Sequence, residues 1–396
     1  MNLIVKKFGG TSVTSDRDRE RIKNLIEADI KNGNIPVLVV SAMGRNSAPY
    51  ATDTLINLYS SINDQGSTRD LDLIMSCGEI ISATLISAYL NSNGIKSTAL
   101  TGFQAGIITN EDYGNAKVLS VNTEYLEAII DKGIIPVISG FQGISISGNI
   151  TTLGRGGSDT TATLIGEALK VDKVEIYTDV DGVMTADPRI VENATLLENM
   201  TYDEMYEMAK HGAKIVDFNA VDIAKRSHIN VVVKNTHEDS IGTQIIDSYK
   251  SDRIITSITK YDSWIQYKIN YKFSIAKDQE LMNALHKNNI SIDMINFFED
   301  YKYFVVQNNV SKELDDLLKN LNLNFKKKEN CSKVTIIGHK IHGVSGIMKR
   351  IVKALEDSDI KILQTSDSHM TISCLVESEL SNAAVISLHK EFNIES

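Results

Sequence analysis

Short apolar runs alternate with helical patterns through the first 246 residues of the chain. Residues 36–40 (PVLVV) form a continuous apolar run, which is typical of a strand covered on both faces, and residues 134–139 and 174–177 have the same character. Between such runs, apolar residues recur at helical spacing, most clearly over residues 70–90. This alternation predicts an α/β domain with a mainly parallel sheet, in which ligands gather at the carboxyl ends of the strands.

A glycine-rich stretch, residues 151–166 (TTLGRGGSDTTATLIG), leads into a predicted helix in the middle of this region. Its glycines let the backbone take positive φ and approach a ligand closely. Ser158 and Asp159 stand where the helix starts, and free N–H groups and the helix dipole attract anions there. Arg155 adds a guanidinium suited to a carboxylate or phosphate. The stretch therefore predicts a site for a small anion, with a plain polar turn as the alternative.

Small and charged residues lie at the predicted strand ends. Lys7 comes just before Gly9 and Gly10 at the end of the first strand, so its ammonium could stand beside phosphates that the backbone approaches. An exposed lysine at a strand end is the alternative interpretation. The carboxyl ends of parallel strands meet at one edge of a sheet, so we expect one cleft to collect Lys7, Ser41, Gly140 and Asp179.

Common phosphate and metal motifs do not decide the chemistry. No GxxxxGK[ST] sequence occurs, and no GxGxxG turn follows the first strand, which weakens a dinucleotide-dehydrogenase interpretation. Residues 178–182 (TDVDG) could form a calcium loop, a plain turn or a nucleotide-binding edge; calcium is poorly supported because Ile190 stands at the twelfth position. Glu79 lies among apolar residues of a predicted helix. It is either half-buried, where it needs a cation such as a substrate ammonium, or a solvated surface carboxylate.

An internal repeat occupies the last third of the chain. The pattern Ala-Leu-x4-Ile-x-Ile at residues 284–292 recurs at residues 354–362. Each copy predicts a helix that turns directly into a strand, and a second apolar stretch follows at residues 303–306 and 370–376. We predict two copies of one α+β unit, as in a paired regulatory module; two unrelated helix–strand units are the alternative. The polar residues 247–253 (DSYKSDR) predict a linker.

Composition narrows the functional classes. The 396 residues suffice for two or three domains. No run approaches the roughly 18 apolar residues of a membrane span, and the first residues do not form a signal peptide. Cys77, Cys331 and Cys374 have neither zinc spacing nor a disulfide framework, which indicates a reducing, cytoplasmic setting. A formal net charge of −10 argues against non-specific nucleic-acid binding.

In this order, the motifs resemble the aspartate kinases of the amino-acid kinase family. Residues 7–12 (KFGGTS) are similar to the first motif of that family, residues 151–161 match its glycine-rich signature almost letter for letter, and residues 177–189 (YTDVDGVMTADPR) are similar to its nucleotide motif. Residues 41–44 (SAMG) and 49–55 (PYATDTL) resemble the members with a short insertion after the second strand.

This resemblance implies a fold and an activity. The expected architecture is a three-layer α-β-α kinase domain with a mainly parallel sheet at residues 1–246, a linker at 247–255, and two ferredoxin-like ACT (amino-acid-sensing) α+β domains at 256–328 and 329–396. The implied reaction moves the γ-phosphoryl group of ATP to the side-chain carboxylate of L-aspartate. It gives 4-phospho-L-aspartate, the first step of lysine, threonine and methionine (diaminopimelate) biosynthesis, under feedback by an end product.

The resemblance also implies site residues. Lys7 would stabilise the γ-phosphoryl group, Asp159 would orient it, Arg155 would hold a substrate carboxylate, and Glu79 would pair with the substrate ammonium. Mg²⁺ would ride on the phosphates of ATP. The implied substrate side comprises Ser41, Thr52, Glu79, Arg155 and Ser158. The implied ATP side comprises Lys7, Gly9, Gly10, Thr178, Asp179, Met184, Asp187, Arg189 and Lys214.

The chain departs from the family pattern in several places. Met184 stands where many members have an aromatic residue, and residues 215–220 (IVDFNA) differ from those after the equivalent of Lys214. Residues 342–346 (HGVSG) lack the proline of the effector-sensing loop, and residues 271–278 (YKFSIAKD) lack its glycine, so we expect a weakened or moved effector pocket.

Effector and assembly follow from the same resemblance. Ser291 and Asp293 match positions that hold lysine in some relatives, although single polar residues on a strand are more often structural. They make lysine the first expected effector, with threonine or diaminopimelate as alternatives. ACT domains pair across chains, so a homodimer or homotetramer is expected. Two other functions stay open: an amino-acid kinase acting on glutamate or acetylglutamate, and a catalytically silent amino-acid sensor.

Overall fold

The computed structural model describes residues 2–45, 47–251, 253–270, 274–339, 341 and 343–394. Two segments of the predicted effector loops fall partly outside these described residues, namely 271–273 and His342. The strands are β1 (Asn2–Phe8), β2 (Asn34–Val40), β3 (Ser97–Leu100), β4 (Ile107–Thr109), β5 (Val118–Val121), β6 (Ile135–Ser139), β7 (Gln142–Ser145), β8 (Ile150–Thr152), β9 (Lys173–Thr178), β10 (Asn199–Thr201), β11 (Asn230–Asn235), β12 (Thr243–Ile246), β13 (Ser257–Asn270), β14 (Asp293–Phe297), β15 (Tyr301–Gln307), β16 (Asn324–Ile337), β17 (Gln364–Asp367) and β18 (Thr371–Glu377). The α-helices are α1 (Asp16–Lys31), α2 (Thr52–Ile62), α3 (Thr68–Ser92), α4 (Glu124–Ile130), α5 (Gly157–Ala168), α6 (Tyr202–Lys210), α7 (Phe218–Ser227), α8 (Ile275–Lys287), α9 (Ser311–Asn320), α10 (Ile347–Glu356) and α11 (Ser381–Phe392).

The first large sheet has the strand order β10-β12-β11-β9-β1-β2-β6-β3. Neighbouring strands are parallel except β11 and β12, so the predicted mainly parallel sheet is confirmed. Ile22 and Ile26 of α1 and Ile86 of α3 pack in one core cluster with strand residues such as Leu38, whereas α5 packs against β1, β2 and β9. The sheet is therefore covered on both faces, which explains the unbroken apolar run of β2.

The side chains of two consecutive lysines of β1 point to opposite faces of this sheet, because side chains alternate along a strand. Lys6 is buried and pairs with Glu175, directly opposite it on β9, and with Asp29 of α1 at 2.9 Å. Lys7 faces α5 instead. Burial alone would raise the pKa of Glu175, but Lys6 and Lys234 hold it below its usual range. A buried cluster of opposite charges thus fixes β1 against its neighbours.

Polar residues begin two of the helices. Ser15 caps α1 in a reciprocal capping box with Asp18. The T-x-x-E pattern at Thr201 and Glu204 predicts a second capping box. The structure confirms it, since the Glu204 carboxylate accepts from the Thr201 amide at 2.8 Å and the Thr201 hydroxyl accepts from the Glu204 amide at 3.2 Å. The helix that follows is α6.

Several elements of this region were missed by periodicity. Helix α2, which begins at Thr52, was not predicted, and none of its residues is fully buried. A second sheet, ordered β5-β4-β7-β8, is built from strands of only three or four residues. Alternation over so few residues carries little signal.

The chain forms two compact units. The first comprises the described residues of Met1–Val183, Leu196–Ala209 and Lys214–Lys250. The second comprises those of Met184–Thr195, Lys210–Ala213 and Ser251–Ser396. Two short excursions of the N-terminal region thus belong to the C-terminal unit.

The second unit is built on an antiparallel sheet ordered β14-β15-β13-β16-β18-β17. Its two central strands, β13 and β16, are each 14 residues long and run through two hydrophobic clusters. One cluster contains Ile269 and Phe325, and the other contains Ile258 and Val334. The predicted boundary between residues 328 and 329 falls within β16. Together with the first unit, this α+β arrangement confirms the predicted fold class.

The sequence repeat is visible in this second unit. Leu285 of α8 and Leu355 of α10 occupy equivalent buried positions, and β15 and β18 confirm the two predicted apolar strands. The prediction that each helix turns directly into a strand is wrong in detail. Ile290 and Ile360 are buried in the connections, and β14 and β17 begin three and four residues later. The recurring isoleucines therefore mark buried connections between helix and strand rather than the starts of the strands.

Among the described residues, α3 is the one helix long and apolar enough to cross a membrane by length and composition. Half of its most apolar stretch is buried inside the protein. Core helices of non-membrane proteins have the same character.

Candidate active site

Lys7 and Asp159 form an ion pair between β1 and α5. The Lys7 Nζ lies 2.7 Å from Asp159 Oδ1, and about nine-tenths of each side chain is buried. The other oxygen of Asp159 accepts from the backbone N–H of Asp217, the N-cap of α7, at 3.3 Å. Lys7 was expected just past a strand end, but it lies within β1, which continues to Phe8.

The glycine turn after β1 lies against the loop after β2. The Gly9 amide donates to the Tyr177 carbonyl at 3.1 Å, and the Gly44 amide donates to the Gly10 carbonyl at 3.0 Å. A Cβ on Gly10 would stand 2.6 Å from the Ala42 carbonyl oxygen and 2.7 Å from that of Gly44. Glycine is therefore required at this position for the backbones to approach.

The N-terminus of α5 is shaped by Gly156, which takes a left-handed conformation as N-cap with φ of 69°. A Cβ there would lie 2.3 Å from the Cβ of Asp217. Ser158 is buried in the first turn beside Gly140, whereas Arg155 is exposed. The dipole of α5 at this helix start and the exposed guanidinium of Arg155 suit an anion.

Glu79 is buried on α3, rather than half-buried or solvated. One oxygen, Oε1, accepts from the Ala42 amide at 3.1 Å, while Oε2 has no hydrogen-bond partner among the described residues. Burial raises the pKa of Glu79 to about 8, although the Ala42 amide favours the ionised form. A cation arriving at Oε2 would relieve this cost. Helical glycine Gly78, beside it, lets the Ala42 side chain and the Tyr50 backbone lie close to α3.

Asp72 is a functional candidate that sequence reasoning missed. It is fully buried on α3 and accepts from the Thr152 amide at 2.8 Å, the Thr152 hydroxyl at 2.9 Å and the Gly114 amide at 3.0 Å. It therefore fixes the start of the glycine-rich stretch. The sequence signal that could have revealed it is an aspartate between two leucines, Leu71 and Leu73, in a predicted helix.

Ser41 and Thr52 lie on either side of the loop after β2. The Ser41 amide donates to the Phe8 carbonyl at 3.1 Å, which keeps this loop at the end of β1. Thr52 is partly buried at the first position of α2. Strands β9, β1, β2 and β6 are neighbouring parallel strands, so Lys7, Ser41, Gly140 and Asp179 lie along one edge of the sheet. That one cleft collects them stays a prediction.

The predicted ATP-side residues fall into two groups. Thr178, Asp179 and Lys214 belong to the first unit, where Lys214 is exposed and Asp179 bonds Arg45. Met184, Asp187 and Arg189 belong to the second unit. There the Arg189 guanidinium lies 2.7 Å from Asp187 and holds the pKa of that carboxyl below its usual range.

The predicted effector residues lie before and at the start of β14. Ser291 is exposed and precedes this strand, while Asp293 is its first residue. Asp293 pairs with the buried Lys333, whose ammonium also stands over the Trp264 ring. Although burial opposes ionisation, Lys333 holds the pKa of Asp293 below its usual range. The carboxylate of Asp293 therefore already has a cationic partner within the protein, the ammonium of Lys333.

Within the part of the chain that the structure describes, no three His, Cys, Asp or Glu side chains are grouped as a metal would need. The polar groups at the sheet edge include cations, backbone amides and hydroxyls, together with the carboxylates of Asp159 and Asp179 that pair with two of the cations. Such groups fit a phosphate chain that carries its own divalent ion.

The sequence model of the amino acid kinase family matches residues 2–235, and that of the ACT domain matches residues 326–390. The first match spans more than half of the chain. This protein therefore belongs to the amino acid kinase family.

Relatives that match over the full length of the chain identify one group within the amino acid kinase family. The chain is 39% identical to aspartokinase 1 of Bacillus subtilis over the whole of both proteins, and 34% identical to the aspartokinase of Geobacillus stearothermophilus over 100% of this chain and 98% of that relative. The crystal structure of E. coli aspartokinase III with aspartate and ADP has the same fold, with a TM-score of 0.84, 23% identity, and coverage of 98% of this chain and 99% of that one. Within its family, the chain belongs with the aspartokinases.

Proposed function

We infer that this chain is an aspartate kinase, which transfers the γ-phosphoryl group of ATP to the side-chain carboxylate of L-aspartate and yields 4-phospho-L-aspartate. This product opens the biosynthesis of lysine, threonine and methionine through diaminopimelate chemistry. Full-length identity to aspartokinases supports the reaction class. The observation that supports aspartate as the substrate is the buried carboxyl group of Glu79, one oxygen of which has no hydrogen-bond partner among the described residues.

The reaction needs charge neutralisation more than proton transfer. The aspartate side chain has a pKa near 4, so the attacking carboxylate is already ionised at neutral pH and requires no general base. Two anions must instead approach in line. Lys7 binds the γ-phosphoryl oxygens, Asp159 keeps its ammonium oriented, and the backbone turn at Gly9 and Gly10 approaches the phosphates. The Gly9 amide itself donates to the Tyr177 carbonyl, so Gly10 is the residue of this turn whose amide we propose as a phosphate donor.

Aspartate has one ammonium and two carboxylates to be recognised. Glu79 Oε2 takes the ammonium, and the exposed guanidinium of Arg155 holds the α-carboxylate beside the N-terminus of α5. Ser158, Ser41 and Thr52 provide hydroxyls nearby. Aspartate and ADP occur together in the related E. coli structure, which supports this pair of ligands.

On the ATP side, Thr178, Asp179 and Lys214 contact the nucleotide, and the resemblance adds Met184, Asp187 and Arg189. Mg²⁺ is held through the phosphates and supplies charge stabilisation when bound. We further propose feedback by an amino acid at the ACT region, with lysine first and threonine or diaminopimelate as alternatives. A homodimer or homotetramer through that region and a cytoplasmic location complete the proposal.

Acyl phosphate formation tests this function directly. With ATP and Mg²⁺, hydroxylamine should trap aspartyl hydroxamate from aspartate, and far less product from glutamate or acetylglutamate. Lys7→Met should lower kcat by at least about 10²-fold because it removes a preorganised positive charge. Lys23→Met, which breaks a surface pair on α1, serves as the matched control. Product from an acylated amino acid instead, or none at all, would contradict the proposal, and adding each effector in turn tests the feedback.

A further inference from the structure

Arg45 and Asp179 form an ion pair across the end of β1. Arg45 lies in the loop after β2, Asp179 follows β9, and their nearest atoms, Nη2 and Oδ2, are 3.0 Å apart. In the sheet, β1 lies between β9 and β2. A pair that joins the residues following these two strands must therefore span the carboxyl end of β1, where Lys7, Gly9 and Gly10 lie.

The backbone before Arg45 is fastened to that same end. Gly44 takes a positive φ of 84°, and its amide donates to the Gly10 carbonyl at 3.0 Å. The absence of a side chain on Gly10 makes this approach feasible. The backbone of Arg45 consequently lies one residue from the hydrogen bond that fastens this loop to the glycine turn.

The two cations at this strand end, Lys7 and Arg45, differ in how deeply they are buried and how strongly they are paired. Lys7 is mostly buried on Asp159, so a carboxylate already offsets part of its charge. The side chain of Arg45 is 71% exposed and that of Asp179 is 36% exposed. Such an exposed pair contributes little to stability, so a more highly charged anion can take the guanidinium from the carboxylate. A phosphoryl group also offers the bidentate acceptor geometry that arginine prefers.

We propose that Arg45 is a further catalytic residue, which leaves Asp179 on nucleotide binding and contacts the phosphoryl group being transferred. This assignment rests on the proposed function. In the step, an aspartate carboxylate oxygen forms a bond to the γ-phosphorus while the bond from that phosphorus to the β,γ-bridging oxygen breaks. The electron pair leaves with ADP, and no proton moves. Arg45 offsets the negative charge on the γ-phosphoryl oxygens as the two anions meet.

Substitution of Arg45 with a matched control tests the assignment. Arg45→Ala should lower kcat by about 10²–10³-fold with less than a threefold change in aspartate KM, Arg45→Lys should recover part of the rate, and added guanidinium should rescue the alanine variant. Arg69→Ala, which breaks another exposed arginine–aspartate pair, should retain full activity. Melting temperatures of the variants should match that of the parent protein.

A binding measurement separates this proposal from the reaction itself. By calorimetry, Arg45→Ala should weaken a nonhydrolysable ATP analogue about tenfold or more and leave ADP unchanged, because the contact is to the terminal phosphoryl group. Unchanged kcat in Arg45→Ala, in an enzyme that does form aspartyl phosphate, would overturn the catalytic assignment alone. Equal losses for ADP and the ATP analogue would overturn it as well. If the parent protein forms no acyl phosphate, the proposed function fails, and selective loss of the ATP analogue still supports the Arg45 contact.

Discussion

A buried carboxylate with one oxygen that accepts no hydrogen bond is destabilised unless a cation binds to that oxygen, because desolvation penalises the ionised form. Glu79 is in this state, with Oε1 held by the Ala42 amide and Oε2 free of hydrogen bonds from the described residues. The same burial that makes Glu79 costly in the empty protein makes it selective for a ligand with an ammonium.

Glu79→Gln should raise the aspartate KM by about 10–100-fold, because a hydrogen bond to a charged group contributes about 1.5–3 kcal/mol. The ATP KM should change little. Initial rates with each substrate varied in turn measure this split, and Glu27→Gln on the exposed face of α1 is the control. An equal loss for both substrates would remove Glu79 from the ammonium subsite.

The same side chain should make the empty protein less stable as pH rises. The pKa of Glu79 is about 8 in the folded protein and near 4.5 in the unfolded chain, so between these values the folded state holds a proton that the unfolded state releases. Each unit of this difference corresponds to about 1.4 kcal/mol. Melting curves from pH 5 to 9 should therefore fall more steeply for the parent protein than for Glu79→Gln, and saturating aspartate should reduce the fall. Parallel curves would show that Glu79 ionises normally.

At the scale of single elements, the glycine turn after β1 depends on contacts between backbones. Gly10→Ala should destabilise the protein by about 1–3 kcal/mol, since neither carbonyl oxygen near its Cβ belongs to a flexible side chain. Gly9→Ala is the matched control, because its nearest neighbour would be 3.5 Å away and its φ is −68°. Thermal unfolding measures the difference. Similar stability losses in both variants would indicate that conformational freedom, rather than space, makes this turn glycine-rich.

The sequence could predict those elements whose signals are local. The β2 run, the Thr201 capping box and the start of α5 follow from periodicity and helix-end chemistry. The edge where Lys7 and Asp179 lie follows from parallel strands. The Asp72 bonds to Thr152 join residues 80 positions apart, and the Arg45–Asp179 pair joins residues 134 positions apart. Such pairings depend on how loops and helices meet in space, and local spacing contains no information about them.

At the scale of the whole molecule, β13 and β16 connect two hydrophobic clusters of the second unit. Leu285→Ala, in one cluster, should destabilise it by about 2–5 kcal/mol, because it leaves a cavity in a packed core. We expect faster hydrogen exchange at both ends of β13, residues 257–261 as well as 265–270. Leu355→Ala, at the equivalent position of the repeat, should have the same effect.

Leu285→Met conserves volume and is the control. Hydrogen exchange by mass spectrometry resolves the two ends of the strand. If only residues 265–270 lose protection in Leu285→Ala, the two clusters unfold independently despite their shared strands.

Sequence reasoning found the repeat but not its long shared strands, because helix–strand periodicity reveals copies without the register that joins them. It also assigned Met184, Asp187 and Arg189 by motif alone. Ala186 and Val191, in the same segment, pack in the hydrophobic cluster that contains Ile258 and Val334. Burial of these apolar residues decides which unit holds the segment, and a motif match does not report it.

The adjacent lysines of β1 have a consequence for assembly of the sheet. If β1 slipped so that Val5 lay opposite Glu175, the ammonium of Lys7 would enter the apolar position of Phe8 on the α1 side and Glu175 would lose Lys6 as its partner. Unpaired charge in such an environment is among the most expensive of all misfolded arrangements. The native alignment of β1 is therefore favoured over that shift of register, because the shift would bury one charge without a partner and leave the Glu175 carboxylate without Lys6.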